Sequence, residues 1–187
     1  MNESKIITGD LFLTRSDKFL SKSINAFMYR YAKKHNIPIE KKDIFSHAGI
    51  FIKQPGEPLR IAEAVENGFK IRVFDDHYKF HPDYNCVLRP KFLFTDAEIQ
   101  RLISYTFYLQ EINWSYQFWN FGQWILYIIL NINTFDEQSK KFLYCYEAAM
   151  RIYNHASDYR FYSDNLDMVD YFKLYDLQRM VKLDYGI

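Results

Sequence analysis

The chain has 187 residues, 24 Lys and Arg against 23 Asp and Glu, and a formal net charge of +1. That length suits one domain and buries about 70% of the unfolded surface, so no disulfide or metal staple is needed. The charge balance argues against a dominant basic nucleic-acid face, and 49% hydrophobic residues with only 6 Gly and 5 Pro exclude disordered, collagen-like and low-complexity classes.

Aromatic residues reach 19%, with 17 Phe and 16 Tyr, which predicts a thick core and leaves enough rings to line an apolar cleft. Cys86 and Cys145 are the only cysteines, so there is no disulfide framework and no paired-thiolate zinc site. The first residues lack a basic segment followed by a long apolar run, so no signal peptide is expected. The most apolar stretch, residues 114–132, is broken by Ser115, Gln117, Asn120, Gly122, Gln123 and Asn131. Its clean part, residues 124–130, is far short of the ~18 residues of a membrane span. The expectation is a soluble cytoplasmic protein, with membrane association open at its surface.

In chain order, residues 6–14 read as a strand or strand pair with a turn at Gly9-Asp10. Phe19, Leu20, Ile24, Phe27, Met28 and Tyr31 recur at helical spacing, which predicts an amphipathic helix over 17–34. Residues 45–53 form a β-rich run, and residues 54–58 (Gln-Pro-Gly-Glu-Pro) a turn cluster. A strand at 59–65 meets Glu66-Asn67-Gly68, a hairpin signal, and strands at 69–74 and 85–92 follow. Thr95-Asp96-Ala97-Glu98 fits a capping box opening a helix to about Glu111. A helix or irregular aromatic segment is expected to Ile132, a helix over 142–155, and a closing helix over about 165–183. Strands segregated from helices predict an α+β domain with an antiparallel sheet.

Three polar residues interrupt apolar runs. His47 lies in Ser46-His47-Ala48-Gly49, where small neighbours admit close approach. Glu63 lies in the next strand, within reach of a side chain on the same face. Cys145 lies at or near a helix start. Such a set suits nucleophilic chemistry, because a helix N-terminus and an imidazolium both stabilise a thiolate. The histidine then serves as general acid and base, and a carboxylate orients it. Taken singly, each residue is more simply a core thiol, a satisfied sheet histidine and a solvated glutamate.

The ordered set Gly9-Asp10-Leu11, Ser46-His47-Ala48-Gly49-Ile50, Glu63-Ala64 and Cys145-Tyr146-Glu147-Ala148 resembles permuted NlpC-type papain-like proteins. The resemblance covers about residues 6–155. It is to the YiiX-like group, and more distantly to lecithin-retinol acyltransferase-like enzymes. It implies a circularly permuted papain-like fold, an antiparallel sheet or small barrel packed by helices, in a single domain over 1–187 with the cysteine helix near 145–155. It also implies Cys145 as nucleophile, His47 as general base and acid, Glu63 as orienter, and Asp10 as a structural residue near the cleft. Tyr146 stands where the family commonly has Ser, and Tyr116 matches an aromatic element before the cysteine helix. With Trp119 these are the expected substrate contacts.

The expected function is a thiol hydrolase or acyltransferase acting on an amide or ester bond, with a small lipid-like or peptide substrate. No cofactor, metal or nucleic-acid partner is expected. The three tryptophans, Trp114, Trp119 and Trp124, tilt the substrate towards a lipid-like or acylated one. The alternatives are a catalytically silent lipid-binding or interaction module on the same fold, and a peptidoglycan-peptide hydrolase. His77 and His81, beside Asp75 and Asp76, read as a solvated turn, and Cys86 as core. Lys33-Lys34-His35 and Lys41-Lys42 read as a solvated face that also suits peripheral contact with an anionic membrane.

Overall fold

The computed structural model describes residues 5–34, 36–74, 84–112, 115–116, 142–143, 145–158 and 180–182. Their elements are β1 (Leu11–Thr14), α1 (Phe19–Lys34), β2 (His47–Ile52), β3 (Arg60–Val65), β4 (Gly68–Val73), β5 (Asn85–Pro90), α2 (Asp96–Glu111), β6 (Ser115–Tyr116), β7 (Phe142–Leu143), α3 (Cys145–Ala156) and β8 (Met180–Lys182). One sheet runs β4-β3-β2-β1-β5-β8 with every neighbouring pair antiparallel. It is an open α+β sheet with β4 and β8 as edges, so the small-barrel form of the expectation is not what these strands build. β6 and β7 form a separate parallel pair.

Side-chain alternation sorts the sheet into two faces. Leu11, Leu13, Ala48, Ile50, Ala62, Ala64 and Leu88 belong to the main core, shared with α1, α2 and α3. Phe12, Phe51, Ile61 and Val87 belong to a second cluster with Ile6, Leu59 and Phe74. In that cluster Phe51 and Phe74 meet edge-on with centroids 5.0 Å apart, a favoured aromatic geometry.

Local chemistry explains the element ends. Gly68 closes the β3–β4 hairpin at φ +98°, a conformation that only glycine adopts without cost. Thr95 caps α2 with both bonds of the capping box present, satisfying amides that the first helical turn leaves unpaired. Asp10 is fully buried and held by a two-pronged ion pair, Arg89 Nε to Oδ1 and Nη2 to Oδ2, each 2.7 Å. It also accepts from the Ile7 amide. The turn before β1 is thereby locked to β5.

Two expectations change. The run 142–155 is not one helix: Phe142–Leu143 is a strand, and the helix begins at Cys145. Of the closing helix expected over 165–183, residues 159–179 and 183 lie outside the described residues, and Met180–Lys182 is a strand on the free edge of β5. Pairing there satisfies backbone groups that helical periodicity alone does not weigh. Residues 117–141 and 75–83, with Trp119, His77 and His81, lie outside the described residues.

Gly49 carries a test of this packing. A Cβ there would sit 2.8 Å from two Ile61 side-chain carbons and 3.2 Å from the Ala62 carbonyl oxygen. Gly49→Ala is expected to lower stability by about 1–3 kcal/mol through overpacking, measured by urea unfolding.

Candidate functional site

β2 and β3 pair with Gly49 opposite Glu63. His47 is therefore the diagonal neighbour of Glu63 on the same face, a separation that long side chains bridge. The result is a hydrogen bond from His47 Nε2 to Glu63 Oε2 of 2.7 Å. The Glu63 side chain is 3% exposed and that of His47 is 25% exposed. Arg72 on β4 places Nη1 3.9 Å from the other carboxylate oxygen, Oε1.

Cys145 is the first residue of α3 and is 4% exposed. Cys145 is close enough to His47 to act on its protonation. Cys145 Sγ lies 4.0 Å from the Ser46 carbonyl oxygen. Burial pushes the His47 imidazole down, but the Cys145 charge and hydrogen bond, with the Glu63 hydrogen bond and charge, outweigh it and raise it to about 10. The protonated ring thus sits between two groups able to carry negative charge. His47 and Glu63 are hydrogen-bonded, and Cys145 lies beside Ser46, the residue before His47.

The other expected residues stand differently. Asp10 lies on the Phe51 side of the β1–β2 ladder, where the Phe51 amide donates to the Asp10 carbonyl at 2.8 Å. That is four residues along β2 from His47, about 13 Å at strand rise. Asp10 is structural but is not beside the reacting groups. Tyr146 was expected at the substrate. Instead it is buried, and its hydroxyl donates to the Phe45 carbonyl. That bond ties the start of α3 to the segment before β2. Tyr116 lies in β6 opposite Leu143, two residues before Cys145. Trp119 lies outside the described residues.

The sequence reading passed over the support beneath His47. Ser46 and Ser21 hydroxyls meet at 2.6 Å, both buried, and the Ser16 amide donates to Ser21 Oγ at 2.8 Å. The Ser46 amide donates to the Thr14 carbonyl at 3.0 Å. The available signal was Ser21 itself, a polar residue three before Ile24 and seven before Met28 on an apolar helix face. The segment 45–47 is thus held by β1, α1 and α3 together.

No family model and no curated protein matches the chain. Its structure is similar to the crystal structure of the metalloprotein yiiX from Escherichia coli O157:H7, with a TM-score of 0.59 and 15% sequence identity over 95% of this chain and 96% of that one. The fold is therefore yiiX-like. At this identity the likeness speaks for the fold alone.

The anchoring role of Tyr146 has a measurable consequence. Tyr146→Phe leaves the buried Phe45 carbonyl without this donor and is expected to cost about 1–3 kcal/mol of stability, read as a lower urea midpoint at unchanged slope.

Proposed function

We propose that the chain is a thiol hydrolase or acyltransferase of permuted papain-like (NlpC-type) design, acting on an amide or ester bond. The observation that carries this reading is one imidazole hydrogen-bonded to a buried carboxylate, with a cysteine at a helix start whose sulfur lies 4.0 Å from the carbonyl oxygen of the residue before that histidine. An imidazolium and a helix N-terminus favour a thiolate at that sulfur.

In the reaction, the Cys145 thiolate attacks the carbonyl carbon and a C–S bond forms. The oxyanion is met by the backbone N–H of Cys145 at the helix start. His47 gives its proton to the leaving amine or alkoxide as the C–N or C–O bond breaks. Water then attacks the thioester, His47 takes its proton, and the C–S bond breaks to restore the ion pair. In a transferase an alcohol or amine replaces that water. Glu63 holds the ring in the orientation and protonation that both steps need. The substrate favoured is lipid-like or acylated, on the strength of the aromatic sequence before α3, and the cell compartment consistent with it is the cytoplasm.

The neighbour yiiX is described as a metalloprotein. In this chain no group of three or more His, Cys, Asp or Glu among the described residues is arranged to hold a metal ion. His47 Nε2 is directed at Glu63. The donor set does not fit a metal, and the steps above use none.

One observation favours the silent module instead: Cys145 is 4% exposed. Iodoacetamide labelling of the intact protein at pH 6, read by mass spectrometry of the Cys145 peptide, separates the two readings. An ordinary thiol with pKa near 8.5 is about 0.3% thiolate at that pH. Cys145 acting as the nucleophile beside His47 is expected to label faster than Cys86, and His47→Ala to abolish the excess. Labelling no faster than the buried Cys86 favours the module. On any substrate turned over, Cys145→Ala and His47→Ala are expected to remove activity, with Glu63→Gln milder.

His47 also sets a pH dependence of stability. Its folded value, about 10, lies above the unfolded 6.5. The native state therefore binds the extra proton between those values. The contribution is complete below pH 6.5 and is lost as pH rises towards 10. The urea midpoint is expected to fall across that window in the wild type, and less steeply in His47→Ala.

A further inference from the structure

Outside the triad, α1 has a one-sided surface. At 3.6 residues per turn, Phe19, Lys22, Ala26, Arg30 and Lys33 fall within a sector of about 80°, and all five are exposed. The helix contains no Asp or Glu. Phe19, at its start, is 88% exposed, the most exposed large hydrophobic residue among those described. Residues 17–43 hold seven Lys and Arg against three Asp and Glu, in a chain whose net charge is only +1. The three acids are Asp17, paired with Lys22 at 3.4 Å, Glu40, paired with Lys42 at 2.8 Å, and Asp43. Both ion pairs are solvent-exposed and hold their cations weakly. The helix C-terminus accounts for Lys33 and Lys34 by its dipole. It does not account for Lys22 and Arg30, nor for a bare phenylalanine on the same face.

We infer that this face of α1 docks on an anionic lipid membrane, with Phe19 entering the interface and Lys22, Arg30 and Lys33 meeting the headgroups. A cationic helix face with an aromatic anchor has the chemistry of an interfacial helix. The opposite face of the same helix carries Ser21, which hydrogen-bonds Ser46 next to His47. Docking thus brings the candidate site to about one helix diameter, roughly 10 Å, from the lipid surface. Delivery of a lipid-like substrate rests on the function proposed above; the docking itself does not.

The test is co-sedimentation of the full chain with vesicles of phosphatidylcholine alone and of phosphatidylcholine with 30% phosphatidylserine. Binding is expected only to the anionic vesicles and is expected to weaken as salt rises. Each lost cation is expected to reduce affinity about fivefold, so Lys22→Ala, Arg30→Ala and Lys33→Ala together give roughly a hundredfold loss. Phe19→Ala is expected to cost about tenfold. All four positions are exposed, and circular dichroism checks that the variants fold. Cys145→Ser is expected to bind as the wild type does, so loss of thiol chemistry and loss of docking are read separately. No binding to anionic vesicles, equal binding to both vesicle types, or no effect of the charge variants overturns the inference. Binding of an RNA oligonucleotide without binding of vesicles overturns it in favour of a nucleic-acid partner.

Discussion

A carboxylate almost wholly removed from water must be paired, because an unpaired buried charge costs several kcal/mol. Glu63 is in that position, and His47 is its hydrogen-bonded partner. The pairing constrains the sheet around it. A one-residue slip between β2 and β3 would turn Glu63 towards the main core and leave His47 without it. Gly49, opposite Glu63, leaves room for the Ile61 side chain, which a Cβ there would strike. Arg72 lies on the far side of the carboxylate, so the charges alternate across the site.

The third member comes from the helical layer. The Tyr146 hydroxyl reaches the Phe45 carbonyl, two residues before His47, and the Tyr153 hydroxyl reaches the Gly9 carbonyl at 2.7 Å. These bonds lie about two helical turns apart on α3 and fix it at both ends of the sheet. Gly9 takes φ +94°, and a side chain there would strike the Phe94 ring. The glycine of the Gly-Asp turn thus serves the seating of the cysteine helix at a distance. Asp10 serves the same end by locking that turn to β5 through Arg89.

The sheet was legible in the sequence wherever period and punctuation agreed. β2, β3 and β5 lie within the runs their β-branched and aromatic residues suggest, β4 is offset by one residue from its run, and Thr95 and Glu98 mark the start of α2 as a capping box should. The three polar residues of the site were legible because each interrupts an apolar run. Their placement was not: register gives Glu63 and His47 a common face, but only the seating of α3 puts the Cys145 sulfur beside Ser46. Tyr146 misled for a related reason. Next to a nucleophile it reads as a substrate contact, whereas the helical rotation from Cys145 turns it inward to the Phe45 carbonyl. β8 was missed because a strand on a sheet edge is stabilised by the edge, and nothing within Met180-Val181-Lys182 records that partner.

The overall charge of +1 illustrates how composition conceals what folding separates. With residues 17–43 carrying four more cations than anions, the rest of the chain carries three more anions than cations. Averaged over the chain this is a neutral protein, and screening over about 8 Å makes a distant compensating acid irrelevant to a surface helix. What a partner meets is the local field of α1, whose inner face is tied through Ser21 and Ser46 to the strand that carries His47. The same helix therefore has two duties with different chemistry. Its buried hydroxyl holds the strand that carries His47 in place, and its exposed cations face outward from the candidate site. A substitution on the outer face leaves the Ser21–Ser46 bond intact, so the two duties are separable by mutation even though sixteen residues supply both.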